Sequence, residues 1–285
     1  MLDIKEYGQY ETAWCPGCGN FVLLKSLKQA LAQSDLHPHQ ILFVSGIGQA
    51  AKAPHYLNAN VFNGLHGRSL PVATAAKLAN RDLVVIAESG DGCMYGEGGN
   101  HFLAALRRNL DITILVHDNQ IYGLTKGQAS PTSLEGFTTK AQPHGTPSGP
   151  FNPVETAIAM GCGFVARGFT GNKDHLADLI AAAIKHKGTS LVDIFQPCVS
   201  FNKVNTFSWY KDHCYDLSDD YDPTDQDQAL RKAREFGDRI PLGILYKNPD
   251  KEIYWEHFPE FEGTSLISKD FNHDAFEQVL DKYRI

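Results

Sequence analysis

Two hydrophobic periods alternate along the chain. In "NFVLLKSLKQALAQS", the residues Leu23, Leu24, Leu27, Ala30 and Leu31 recur at helical spacing and define one apolar helix face. "QILFVSG" follows as a short apolar run closed by glycine, the pattern of a buried strand. The pair then repeats. "PVATAAKLAN" predicts a helix opened by Pro71, whose fixed φ suits a first turn, and "LVVIAES" a strand over 83–88. "EGGNHFLAALRRN" is helical from about Asn100 and "ITILVHDN" is strand-like. "PVETAIAMG", "GFVARGF", "DHLADLIAAAIKHKG" and "SLVDIFQ" continue the alternation. Strands that are apolar throughout are covered on both faces, and helices between them supply the cover. The pattern therefore predicts an α/β fold with a doubly wound, mostly parallel sheet.

The alternation lapses between Tyr122 and Pro153, where "GLTKGQASPTSLEGFTTKAQPHGTPSGPFNP" has no sustained period. A loop of this length is either functional or disordered. Past residue 200 the chain turns polar and acidic ("DLSDDYDPTDQDQ"), then offers a helix "QALRKAREFG", a strand "LGILYK" and a terminal helix "DAFEQVLDKY". This divides the chain into a module over 1–200, carrying an N-terminal cysteine arm, and an extension over 201–285. The extension has no catalytic core of its own and packs on the module or on a partner.

The 285 residues can bury a substantial core, and a net charge of −7 argues against nucleic acid or an anionic membrane as partner. The opening "MLDIKEYGQYETAW" has no apolar run, so neither a signal peptide nor a membrane anchor is expected there, and no later stretch could span a bilayer. Six cysteines in a chain of this length are too sparse for a disulfide scaffold. A cytoplasmic location with thiols or metal-bound cysteines is the expectation.

The densest chemistry lies in "ESGDGCMYGEGGNHF". A strand ends in Gly90-Asp91-Gly92 and a helix begins soon after. Ligands of such sheets bind beyond the carboxyl ends of the strands, and glycines there let a phosphate approach the backbone. This turn carries a carboxylate and no lysine. A carboxylate beside a phosphate requires a cation between them, and magnesium prefers oxygen ligands shared with phosphates. The next strand ends in "DNQIYG", whose Asn119 offers a second oxygen one helix and one strand later. A second cluster of interest is "WCPGCG", with Cys15 and Cys18 on a Pro-Gly corner. It can hold zinc, cycle as a redox dithiol or form one edge of an iron–sulfur cluster. The dithiol reading is disfavoured because no strand precedes Trp14.

The phrases "WCPGCGN", "SGIG", "GLHGRSLPVATAAKLAN", "GDGCMYGEGGNHFLAALRRN" and "HDNQIYGLTKGQASPTS" resemble the β subunit of 2-oxoacid:ferredoxin oxidoreductases, over about residues 12 to 200. The resemblance implies thiamine diphosphate bound with magnesium, the metal held by Asp91, Asn119 and the backbone carbonyl of Ile121. Ile47, Gly48, His66, Gly67, Arg68, Gly90, Gly92, Gly123 and Leu124 are implied to line the cofactor site. His66, Lys52 and Lys126 are the implied catalytic or substrate-contacting residues, although a histidine bonded to backbone and solvated lysines would look the same in sequence. The family also carries a 4Fe-4S cluster, whose matching ligands here are Cys15, Cys18 and Cys198. The third family cysteine is replaced by Gln49 in "SGIGQAAK". Gln49 or an outside group as the fourth ligand, a three-iron cluster, a lost cluster and a zinc site all stay open. Cys93, Cys162 and Cys214 match no ligand and read as structural.

The implied reaction is oxidative decarboxylation of a 2-oxoacid, with the acyl group passed to coenzyme A and electrons to ferredoxin. "YGLTKGQ" resembles the broad-range or 2-oxoglutarate branch. The glutamate that activates thiamine in related enzymes has no visible home here, so an α subunit is the expected partner. A thiamine-dependent decarboxylase without a cluster, or a non-enzymatic metal-binding or assembly subunit, are the alternatives.

Overall fold

A computed structural model describes residues 2–258 and 265–284. In chain order the strands are β1 (Ile41–Ser45), β2 (Asn60–Asn63), β3 (Val84–Gly90), β4 (Ile112–Asp118), β5 (Ile121–Tyr122), β6 (Gln128–Ala129), β7 (Phe164–Phe169), β8 (Ser190–Phe195), β9 (Cys214–Asp216) and β10 (Ile240–Lys247). The helices are α1 (Asn20–Gln33), α2 (Ser69–Ala79), α3 (Gly99–Arg108), α4 (Pro153–Ala159), α5 (Lys173–Lys185), α6 (Phe207–His213), α7 (Gln226–Ala233) and α8 (His273–Asp281). Eight strands form one sheet in the order β2-β1-β3-β4-β8-β7-β10-β9. Every pairing from β2 to β7 is parallel. The direction reverses once, where β10 lies antiparallel beside β7, and β9 then runs parallel to β10.

Side chains of the central strands alternate between two covers, as strand geometry requires. Phe43, Ile86 and Leu115 point to the face that α1 and α5 bury with Leu23, Leu27, Leu176 and Ile180. Val44, Val85, Ile114 and Val116 point to the opposite face, under Leu70, Phe102, Leu106 and Ile158. The doubly wound parallel architecture expected from the sequence is therefore the one observed. Three details differ. The second helix begins at Ser69 rather than at Pro71. The edge strand β2 was not foreseen, because all its residues are exposed and it carries no apolar periodicity. Residues past 200 do not merely lie on the module, since β9 and β10 hydrogen-bond into its sheet.

One buried polar set ties the cysteine arm to the sheet. His117 of β4 meets Glu88 Oε1 of β3 through Nε2 at 2.7 Å and Asn20 Oδ1, the first residue of α1, through Nδ1 at 2.7 Å. The His117 and Glu88 side chains are fully buried. A buried pair persists only when its geometry and remaining hydrogen bonds are good, and losing one partner costs about 3–5 kcal/mol. The set fixes where the arm enters α1, directly beside the strand ends that carry Asp91 and Asn119.

Asn109 holds the far end of this layer. It ends α3 in the left-handed region at φ 53°. Its Oδ1 accepts from Thr189 N–H at 2.9 Å, and its Nδ2 donates to the carbonyls of Lys251 and Glu252 at 3.2 and 2.9 Å. Asn109→Ala loses these bonds and leaves a residue with no polar side chain in the left-handed region that asparagine tolerates better. It should lower unfolding free energy by about 2–4 kcal/mol, read as a shifted urea midpoint. Asn109→Gly, which relieves only the strain, should fall between the two.

Candidate active site

The carboxyl ends of β1, β3, β4 and β8 converge, as parallel strands separated by helices dictate. Ile47, Gly48, His66, Gly90, Asp91, Gly92, Asn119, Ile121, Gly123 and Leu124 all line one cavity there. Gln49, Cys93 and Tyr122 complete much of its wall. Between β3 and α3 the chain makes a π-helical turn over Gly92–Glu97, a widened turn frequent at functional sites. Tyr122 lies so close over Gly92 that any β-carbon there would meet its ring.

Asp91 is 1% exposed. Its Oδ2 accepts from Ser130 Oγ at 2.5 Å and from Thr132 Oγ1 at 2.7 Å. The backbone N–H groups of Gly92 and Asn119 add two further donors. Burial nevertheless holds its carboxyl above the usual range. Asn119 Oδ1 accepts from Ile121 N–H at 3.1 Å, which turns the amide and sets the chain at Ile121.

Thr132 also contacts Asp118 Oδ1 at 2.7 Å. The one Thr132 hydroxyl thus lies within hydrogen-bond distance of both carboxyls, and its single proton serves only one of them at a time. Burial, with the charges of Asp193 and Asp91, pushes the Asp118 carboxyl well above its ordinary value. Asp193 is pushed up to about 6 by burial, opposed by a hydrogen bond from Tyr95 at 2.7 Å and by the Arg167 charge.

Four of the residues implied by resemblance stay outside the cavity. Gly67, at φ 72°, lies below it with its Cα against the Glu97–Gly98 backbone, where a β-carbon would come within 2.6 Å of Glu97 O. Arg68 is exposed and turned to His101, its Nη1 lying 2.9 Å from the ring Nε2. Lys52 is half-buried in the 3-10 helix that follows Gln49, and Lys126 is exposed at φ 75° in the β5–β6 connection. His66 stands at the rim, Nδ1 3.3 Å from Glu97 Oε2, and Tyr122 donates to that same oxygen at 3.1 Å. Cys93, read as structural, accepts from the N–H groups of Gly67 at 3.1 Å and Ile47 at 3.4 Å, so its thiol ties together two walls of the cavity.

Next to this cavity is a second, lined by Cys15, Cys18, Cys198, Gln49, Asn119 and Gln196. No disulfide joins the cysteines, and burial pushes the Cys18 thiol up to about 11, with smaller upward contributions from Cys198 and Cys15. So protonated a thiol is a poor nucleophile, which disfavours a redox dithiol. Among the described residues no three His, Cys, Asp or Glu side chains converge tightly enough to hold a single metal ion. Gln196, which is 1% exposed, bridges the two cavities. Its Nε2 donates to Cys18 Sγ at 3.5 Å and its Oε1 accepts from Asn119 Nδ2 at 3.3 Å. Sequence reasoning missed Gln196, Ser130, Thr132 and Glu97. The only sequence signal was the pair of hydroxyls flanking Pro131 in an otherwise irregular stretch.

Residues 42–194 match the family described as thiamine pyrophosphate enzyme, C-terminal TPP binding domain. Residues 198–263 match the family that describes the C-terminal part of the pyruvate ferredoxin oxidoreductase beta chain. The chain belongs to the β subunits of 2-oxoacid:ferredoxin oxidoreductases. It is 45% identical to subunit beta of 2-oxoacid:ferredoxin oxidoreductase 1 of Aeropyrum pernix, over 87% of this chain and 81% of that one. Identity to the corresponding protein of Saccharolobus solfataricus is 41%, over 93% and 90%. Its fold matches a 2-oxoglutarate:ferredoxin oxidoreductase from Magnetococcus marinus, solved with 2-oxoglutarate, coenzyme A and succinyl-CoA bound. The TM-score is 0.91 at 33% identity, covering 100% of this chain and 97% of that one.

The three buried carboxylates set a pH dependence. A carboxyl whose folded pKa is raised binds its proton more tightly in the folded state than in the unfolded one, so folding is favoured below the unfolded value and loses that contribution as pH rises. For Asp193 the window runs from its ordinary value of 3.8 to about 6. Without added metal, stability should fall across that window, by at most about 1.4 kcal/mol per pH unit for one proton. Asp193→Asn should flatten the slope, measured as urea midpoints at several pH values.

Proposed function

We propose that this chain is the thiamine-diphosphate-binding β subunit of a 2-oxoacid:ferredoxin oxidoreductase, acting on 2-oxoglutarate or a broader range of 2-oxoacids and transferring the acyl group to coenzyme A. The observation that carries the reading is Asp91, a carboxylate sealed in a glycine turn at a strand end and facing one cavity together with Asn119 and Ile121. Asp91, Asn119 and the carbonyl of Ile121 would hold magnesium, and the backbone of 90–92 would take the diphosphate. The donor set fits, being all oxygen and adjacent to a phosphate-binding turn. Cys15, Cys18 and Cys198 share one cavity, which fits a thiolate-held iron–sulfur cluster. Bound, thiamine diphosphate would supply the decarboxylation chemistry and the cluster an exit for electrons toward ferredoxin.

This chain's own residues then do the positioning. Gly90 leaves the backbone of the turn open to a diphosphate, and the space at Gly92 is taken by the Tyr122 ring, which closes over the turn. His66 lines the cavity with its Nδ1 beside Glu97, a position from which the ring could meet a substrate carbonyl or carboxylate. The placement of Lys52 and Lys126 lends no support to a substrate-binding role. Substrate identity draws on relatives: the 2-oxoglutarate oxidoreductase subunit KorB of Mycobacterium tuberculosis is 44% identical over 67% of this chain and 52% of its own length.

Among the described residues that line the cavity Asp91 is the only acid, and its place at the metal leaves no carboxylate for the cofactor's aminopyrimidine. Ile47 and Leu124, also at the cavity, are 36% and 41% exposed. Both features fit closure by an α subunit. A second reading, a thiamine-dependent decarboxylase without a cluster, is favoured by one observation, Gln49 in place of a cysteine. A broad visible absorption band from anaerobically purified protein separates the two, since only the oxidoreductase carries a chromophoric cluster. No helix among the described residues is long and apolar enough to cross a membrane.

Two outcomes test the reading. Asp91→Ala should keep the fold and weaken magnesium-dependent thiamine diphosphate binding by about 100-fold or more, read by calorimetry. Binding equal to the parent's would remove the assignment. The purified chain alone should show no 2-oxoacid turnover, and adding the α subunit should restore it. Full activity of the lone chain would mean that the activating carboxylate is internal.

A further inference from the structure

Gln49 sits where both cavities meet. Its carbonyl accepts from Trp14 Nε1 at 2.8 Å, and Trp14 is itself wedged edge-on against Tyr56 and Phe21, with ring centroids 4.8 and 5.6 Å away. The backbone of Gln49 is thereby pinned beside the cysteine arm. Its side-chain Oε1 is buried and accepts no hydrogen bond. Across the same cavity Asn20, 1% exposed, has a buried Nδ2 that donates to nothing. Leaving a buried polar group unsatisfied costs about 1–3 kcal/mol, so a pair of them lining one cavity calls for an occupant.

The two groups differ in kind. A free acceptor calls for a cation or a donor, and a free donor calls for an anion or an acceptor. A lone metal ion would satisfy Gln49 and leave Asn20 unmet, and a water would satisfy both but leave the three thiols of the cavity without a role. An iron–sulfide cluster presents iron to the one and sulfide to the other, while the three thiols take the remaining irons.

We propose that the Gln49 amide oxygen occupies the fourth corner of a 4Fe-4S cluster held by Cys15, Cys18 and Cys198, with Asn20 Nδ2 donating to a cluster sulfur. The assignment rests on the cluster reading above. An amide oxygen is a harder and weaker ligand for iron in a sulfide cluster than thiolate. One iron of the four is therefore exchangeable, and the cluster is built to lose and regain it. The remaining irons, each on a thiolate, stay in place.

The test uses the complex with its α subunit, purified without air. Iron and sulfide are counted and electron paramagnetic resonance is recorded during stepwise oxidation with ferricyanide. In the parent, mild oxidation should release one ferrous iron, pass one electron to ferricyanide and yield a three-iron signal, and ferrous iron added with dithionite as the reductant should reverse it. Gln49→Cys should slow that loss by about tenfold or more, and Gln49→Ala should speed it by a similar factor or arrive already in the three-iron form. Gln49→Glu, isosteric and still an oxygen donor, should retain the fourth iron and so separates ligation from misfolding. Equal iron content and loss rate in the parent and Gln49→Ala would overturn the assignment. So would iron missing from both the parent and Gln49→Cys, which would mean that water fills the cavity. Thiamine diphosphate binding by the parent, measured on the same sample, then distinguishes the failures. If it persists, the cluster and its Gln49 ligand fall and the thiamine-dependent decarboxylase reading stands; if it is absent too, the proposed function falls with them.

Discussion

A carboxylate taken out of water needs donors or a cation around it, and at Asp91 that need organises three separate stretches of chain. The hydroxyls of Ser130 and Thr132 come from the loop after β6, the N–H of Asn119 from the end of β4, and the N–H of Gly92 from its own turn. The ladder of β3 and β4 brings the two strand ends together, and the charge draws the loop carrying Ser130 and Thr132 onto them. The irregular stretch between Tyr122 and Pro153 is accordingly ordered where it touches Asp91. Ser133 completes it by donating to the Gln120 carbonyl at 2.6 Å, which closes the loop back onto the strand end it serves.

The charge is not isolated. Through Thr132 it communicates with Asp118, and Asp118 senses Asp193, so acids from β3, β4 and β8 form one buried set under the site. Arg167, fully within the same layer on β7, offsets part of it, and Tyr95 donates to Asp193. On the other side of the sheet the pairing of His117 with Glu88 anchors α1 through Asn20. The cofactor pocket and the cysteine pocket are therefore referenced to the same two strand ends, and neither can shift without straining the other.

The parts of this arrangement legible in the sequence were those written in local backbone rules. Glycines around Asp91 and an asparagine at the following strand end follow from what a diphosphate and its metal require of a turn, and the structure brings them together. The alternation of helix and strand periods likewise dictated the doubly wound sheet. What escaped was whatever depends on contacts between distant segments. Ser130 and Thr132 lie in a stretch without period, and Gln196 looks like any residue after a strand. The implied roles of Arg68, Lys52 and Lys126 matched by position, yet side-chain direction depends on neighbours such as His101 that no motif records. The edge strand β2 escaped for another reason: with an open outer edge and exposed side chains, it has no core face to impose a pattern.

Gln49, Asn119 and Gly123 line both cavities, so the partition between them is made of residues that belong to each. A replacement at any of the three positions therefore alters two chambers of unlike chemistry at once, one at the glycine turn and one holding three thiols, and no single substitution there acts on one of them alone.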